Sequence, residues 1–226
     1  MKTFVFTLAF ASIIGTFSGL GQTPKQLIAA VNLKFSKVID YTAKVNIDCK
    51  IPFVKIDPLD ATVHFRKPDK FKIRTKGILF LPRQNPNYAI SKLADTNAYA
   101  AVITGQEMVA GVQTRVVNII PLNDTDLVFG KFWIDPINAL ILRSQLTTKS
   151  NGTISIESSF GQQKQYALPD KMVFTIDAGK FEIPKALTGD MGSNPNKKQE
   201  KKDTKGIITL QFSNYEINKG KAQAGN

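Results

Sequence analysis

The stretch from Ala61 to Thr75 limits the possible folds more than any other. Apolar residues alternate with polar ones at Ala61, Val63 and Phe65, and again at Phe71 and Ile73 beyond the segment Lys67-Pro68-Asp69-Lys70. A period of two puts the apolar set on one face of an extended chain. Pro68 fixes φ and Asp69 can bond its own backbone, so the segment between the arms is a turn. The other face carries Arg66, Lys70, Lys72 and Arg74. This is a hairpin with an oily side and a cationic side. It can lie on a filled core, or it can wall a hollow.

The rest of the chain repeats the strand pattern after one opening helix. Thr23-Pro24-Lys25-Gln26 has a capping residue, a proline suited to the first helical position and a glutamine that completes a capping box. Leu27, Val31, Phe35 and Val38 then recur at helical spacing, which predicts a helix from about Pro24 to Ile39. Strands are expected at Tyr41–Lys50, in the hairpin, at Gly77–Leu81, around Val102–Val109, and at Thr114–Ile120, Leu127–Ile134, Leu140–Thr148, Thr153–Phe160, Lys171–Asp177 and Gly206–Ile217. Tyr88–Ala101 fits a short helix or an irregular strand. Ala110-Gly111, Asp135–Ala139 and Asn151-Gly152 read as turns. The count of about ten or eleven strands joined by short turns, without crossover helices, means an antiparallel sandwich or barrel-like sheet rather than a parallel one.

The N-terminus gives an address. Met1-Lys2-Thr3 is basic, Phe4–Ile14 is almost wholly apolar, and Gly19-Leu20-Gly21 supplies the small residues of a cleavage site. Residues 1–21 are expected to be a secretory signal peptide, because the run falls short of the roughly 20 residues a span needs. Residues 22–217 would then form one domain with a flexible polar loop at about 188–204, and 218–226 a disordered tail. The formal net charge of +12 favours acidic partners, and export to the periplasm sets nucleic acid aside as one of them. Cys49 is the only cysteine, so an internal disulfide is impossible. It also lies far from the cleavage site, so it is not the lipid-modified first residue of a lipoprotein.

The inventory of chemical groups is thin. His64 is the only histidine, and one His with one Cys cannot build a zinc site of the usual kind. No Gly-x-Ser-x-Gly elbow, P-loop or Gly-x-Gly-x-x-Gly is present. Asp69, Asp135 and Asp170 sit where turn geometry explains them. The expectation is a non-enzymatic protein with no cofactor and no metal. What is plentiful is the apolar set, including 15 phenylalanines. A curled sheet either fills its interior with such side chains or leaves a cavity. Acyl chains suit a cavity of that kind, since each buried CH₂ is worth about 0.8 kcal/mol.

The order of these segments resembles a known family. The hairpin Phe65-Arg-Lys-Pro-Asp-Lys-Phe71, the stretch Ile103-Thr-Gly-Gln-Glu-Met-Val-Ala-Gly111, then Phe132-Trp-Ile-Asp-Pro136 with Leu140-Ile-Leu-Arg143, and Tyr166-Ala-Leu-Pro-Asp-Lys171 are similar to the LolA-like and LolB-like periplasmic lipoprotein-sorting proteins. The resemblance implies an unclosed antiparallel β-barrel, mainly β with α, whose hydrophobic hollow is covered by one or more helices. It implies a soluble carrier of lipoprotein acyl chains or other lipid, working between an inner-membrane exporter and an outer-membrane acceptor. In such carriers a basic residue directly before the hairpin proline, usually arginine, holds the lid closed. Lys67 stands at that position here. The Gly77–Tyr99 region departs from the carrier pattern.

Together these readings give an expected site. Val63, Phe65, Phe71, Ile73, Phe132, Ile134, Leu142, Ile156 and Phe174 would line the lipid cavity. Leu27, Val31, Phe35 and Lys67 would form the lid. Arg66, Lys70, Lys72 and Arg74 would meet anionic lipid or an acidic partner. A different reading of the same fold is an envelope sensor or scaffold that binds a partner protein.

Overall fold

The first helix forms because its N-terminus is capped on both sides. In the computed structural model, which describes residues 22–52, 54–68, 70–76, 93–150, 152–177 and 205–220, helix α1 spans Pro24–Ser36. The Gln26 amide donates to the Thr23 hydroxyl oxygen at 3.2 Å, and the Thr23 amide donates to Gln26 Oε1 at 2.8 Å. This reciprocal pair satisfies two of the donors that a helix start leaves open. Leu27, Ile28 and Val31 are buried on one stripe. The helix stops at Ser36, ahead of the expected Ile39, and Val38 is buried as the chain turns toward the sheet.

The strands are β1 (Asp40–Ile51), β2 (Val54–Lys55), β3 (Leu59–Arg66), β4 (Lys70–Thr75), β5 (Tyr99–Val109), β6 (Val112–Pro121), β7 (Leu127–Asp135), β8 (Leu140–Thr148), β9 (Gly152–Ser159), β10 (Lys171–Asp177) and β11 (Lys205–Ile217). They form one 11-stranded sheet in the order β4-β3-β1-β11-β10-β9-β8-β7-β6-β5, with β2 paired to β1. Every pairing is antiparallel. Among the described residues β4 and β5 end the sheet and do not pair with each other. The architecture is thus mainly β, an unclosed antiparallel barrel with a single helix.

Local sequence explains the connections. The β5–β6 turn holds Ala110 at φ +48° and Gly111 at φ +78°. Two consecutive positive φ values match the twist of a tight hairpin. Asp135 fixes the β7–β8 turn by accepting from the Ile137 amide at 2.8 Å, the Asn138 amide at 3.0 Å and Asn138 Nδ2 at 2.7 Å. Gly130 in β7 is required by close packing, because a Cβ there would lie 2.7 Å from Phe132 and 2.8 Å from Ile119. β5 starts at Tyr99, ahead of the expected Val102, and has a register shift between Ile103 and Gly105.

The expected signal peptide, the strand at Gly77–Leu81 and the loop at 188–204 lie outside the described residues. The start of the expected tail differs from the reading. Asn218 accepts from the Ile39 amide at 2.7 Å and donates to the Lys37 carbonyl at 2.8 Å, and the Gly220 amide donates to Asp40 at 3.1 Å. Residues 218–220 are therefore fastened to the link between α1 and β1, which polar composition alone does not show.

Candidate functional site

The inner face of the sheet is built strand by strand from the period-two positions. Register places Ile103, Val117, Phe132, Ser144, Ile156, Phe174, Ile208 and Cys49 side by side on eight successive strands, β5 to β1. A second pair of rows lies at the hairpin end, Phe71 beside Phe65 beside Tyr41, and Ile73 beside Val63 beside Ala43. The Phe65 and Tyr41 rings stack at 5.3 Å. Apart from the buried Ser144, these rows, with Ile134, belong to one continuous apolar cluster, and Leu27, Ile28 and Val31 of α1 belong to it too. Phe35 closes the contact, its ring 5.4 Å from that of Phe65.

Eight of the nine residues expected to line the interior are thus brought together. Val63, Phe65, Phe132, Ile134, Ile156 and Phe174 are buried, while Phe71 and Ile73 are partly buried on the edge strand. Leu142 is the exception and corrects the expectation. It packs on a separate cluster of Val109, Val116 and Trp133. The cause is a β-bulge: Trp133 pairs with Arg143 and Ile134 with Ile141, which leaves Leu142 unpaired and breaks the alternation. On that outer cluster the Trp133 indole donates to Glu107 at 2.7 Å. That bond, with Lys131 beside it, holds the Glu107 carboxyl below the usual carboxylate range.

The cover is tied at three points. The Lys67 ammonium donates to the Ser36 carbonyl at the C-terminal end of α1, where free carbonyls and the helix dipole both favour a cation. Lys34 Nζ donates to the Lys164 carbonyl at 3.3 Å, and Asn32 Nδ2 donates to the Leu93 carbonyl at 2.6 Å. Asn32 Oδ1 is buried and has no hydrogen-bond partner. Of these contacts, only Lys67 was expected from the sequence. The others join segments about 60 and 130 residues apart, and no local pattern marks them.

Arg66, Lys70, Lys72 and Arg74 all lie exposed on the outer face, as alternation requires. A groove of about 1020 Å³ runs along this part of the sheet, its lining both polar and apolar. Its lining includes Lys44, Asn46, Arg74, Lys76, Gln211 and Ser213. Lys44 and Asn46 alternate on β1 and pair with Ser213 and Gln211 on β11. Both strands are expected from the sequence, but their adjacency depends on joining the first strand to the last. Cys49, on the inner row, is buried, and burial, then Asp48, pushes its thiol up to about 11, which disfavours the nucleophilic thiolate at neutral pH.

His64 lies on the same polar face, its Nδ1 3.3 Å from the Thr42 hydroxyl. Burial, then Arg74 and Lys72, push its imidazole below the ordinary value of 6.5. The folded chain therefore binds fewer protons here than the unfolded chain. This contribution to stability is complete above 6.5 and is lost as pH falls through that value toward the folded one. Urea midpoints of the protein should fall on acidification below about pH 6.5, and less steeply in His64→Gln. Identical slopes in the two proteins would show that His64 contributes nothing.

Comparison with known proteins agrees with this geometry. Residues 64–158 match the family model of the MucB/RseB N-terminal domain. An outer membrane lipoprotein-sorting protein domain from Vibrio parahaemolyticus is similar in structure, with a TM-score of 0.60 at 11% identity over 87% of this chain and 93% of that one. The LolA superfamily protein NE2245 from Nitrosomonas europaea gives 0.56 at 10% identity over 87% and 94%. A DUF1329 family protein from Desulfovibrio piger gives 0.52 at 12% identity over 88% and 95%. No curated protein matches in sequence. The chain has the LolA-like fold, that of the outer-membrane lipoprotein-sorting proteins.

Proposed function

We propose that the protein is an exported, periplasmic carrier that takes acyl chains of lipoproteins or other lipid against the inner face of its open sheet, beneath α1. The observation that carries this reading is the helix itself. Its apolar stripe completes the interior cluster, yet the polar ties named above that hold it are a few hydrogen bonds at its ends and flank. Undocking Leu27, Ile28 and Val31 costs about 1.5–3 kcal/mol each. An acyl chain of about sixteen carbons gains about 13 kcal/mol on full burial. Even after the losses of association, an entering chain can replace the helix. Lys67 is the latch in this mechanism. The signal peptide at 1–21 delivers the chain to the periplasm, and an inner-membrane exporter and an outer-membrane acceptor would supply and receive the cargo.

Removing the latch tests the proposal. Lys67→Met deletes one charge-assisted hydrogen bond, worth about 1.5 kcal/mol or less at this half-exposed position. Stopped-flow uptake of a fluorescent fatty acid should be about three- to tenfold faster in the variant, with an unchanged circular dichroism spectrum. Equal rates would remove Lys67 from the latch, and absence of uptake in both proteins would remove the carrier reading.

The match to the MucB/RseB N-terminal domain favours a second reading, an envelope sensor or scaffold that binds a partner protein. The cationic face of Arg66, Lys70, Lys72 and Arg74, continued by Lys44 and Lys76 along the groove, suits an acidic surface. Reversing Lys70 and Lys72 to Glu would abolish such binding and leave fatty-acid uptake intact.

A further inference from the structure

The side of the molecule where Lys34 of α1 comes within electrostatic range of Asp135 in the β7–β8 turn carries an arrangement that acyl-chain carriage does not use. Ile137 at the tip of that turn is 90% exposed. A single exposed apolar residue is ordinary on a protein surface, but the backbone of this one is fastened in a tight turn. Pro136 precedes it, and Asp135 accepts its amide hydrogen and two donors from Asn138. The turn therefore holds the isoleucine's backbone at its tip.

Its surroundings are cationic. Asp135 and Lys34 of α1 are close enough to interact electrostatically, as are Lys34, Lys37 and Lys164. Lys34 reaches the Lys164 carbonyl directly. Lys37 follows the last residue of α1 and is exposed, as is Lys164. Asp135, the carboxylate among them, is buried and engaged in its own turn. Leu33 is 66% exposed. At 100° per residue it falls on the crest of α1, opposite the buried stripe of Leu27 and Val31. Two outward apolar side chains, one next to Asp135 in the turn and one next to Lys34 on the helix, with lysines that act on each other electrostatically, match the pattern of an interfacial contact with an anionic bilayer.

We propose that this side is a membrane-docking surface: Ile137 and Leu33 enter the boundary between headgroups and acyl chains, and Lys34, Lys37 and Lys164 contact lipid phosphates. Charge complementarity selects an anionic bilayer over a neutral one. The proposal does not depend on acyl-chain carriage, because docking needs only the outer crest of the helix and the turn, both present with the cover closed.

Co-sedimentation of the full chain with vesicles decides it. Vesicles of phosphatidylcholine with about one-third phosphatidylglycerol should bind the protein at least tenfold more than phosphatidylcholine alone, and high salt should weaken binding. Ile137→Glu should lower partitioning tenfold or more. Lys37→Glu with Lys164→Glu, which spares the Lys34 bond, should lower it by a similar factor, at about fivefold per lysine. Lys70→Glu with Lys72→Glu, on the outer face of the hairpin, should bind nearly as the parent does. A tryptophan placed by Ile137→Trp in a Trp133→Phe background should shift its emission to the blue on anionic vesicles. The proposal is overturned if the parent does not bind anionic vesicles, if Ile137→Glu binds as the parent does, if the hairpin variant loses binding instead, or if the emission of the new tryptophan does not move.

Discussion

Phe132→Ala lowers the free energy of unfolding by about 3–5 kcal/mol, read as a reduced urea midpoint with an unchanged slope. Phe132 is fully buried within the inner row, beside Val117 and Ser144, and its ring lies over Gly130. Truncation removes the ring's transfer energy and leaves a cavity that the neighbours cannot fill. β7 is flanked by β6 and β8 in the sheet, and a Cβ at Gly130 would already collide with this ring and with Ile119. A loss near 1 kcal/mol would mean that the interior adapts around the missing ring and is packed more loosely than the burial indicates. The same substitution at Leu142 should cost far less, since its outer cluster is small and the side chain is only partly buried.

The second large effect concerns the cover. In a Lys34→Cys and Lys164→Cys variant, a bis-maleimide whose spacer carries a disulfide can join α1 to the 3-10 turn at Lys164–Tyr166. Cys49 should not compete, because it is buried and its thiol is pushed up to about 11. The joined protein should keep its fold and lose fatty-acid uptake to background, a change of about a hundredfold or more if opening of the helix is obligatory. The helix stands outside the strand pairing of the sheet, and its buried stripe, Leu27, Ile28 and Val31, is short.

Much of this could be read before any coordinates. Alternation at Val63, Phe65, Phe71 and Ile73 fixed both the hairpin and the face that turns inward, because a strand's side chains have a strict period of two. The Thr23–Gln26 capping box marked the start of α1, and Ala110-Gly111 marked a tight turn, both through short-range backbone chemistry. The failures share a cause. Leu142 left the inner face because the bulge beside Trp133 interrupts the period, and a bulge has no fixed sequence signature. The fastening of Asn218 to Lys37 and Ile39 joins residues about 180 apart in the chain. The groove of Lys44, Arg74 and Gln211 needs β1, β4 and β11 brought together across the whole chain. Long-range pairing decides such features, and periodicity contains no record of it.

The most direct test of the carrier account is fatty-acid uptake by the cross-linked protein, measured before and after reduction of the spacer. The account predicts no uptake while α1 is joined to Lys164, and uptake at the rate of the unjoined variant once the disulfide is cut. Equal uptake in the joined and released forms, or none in either, would contradict it.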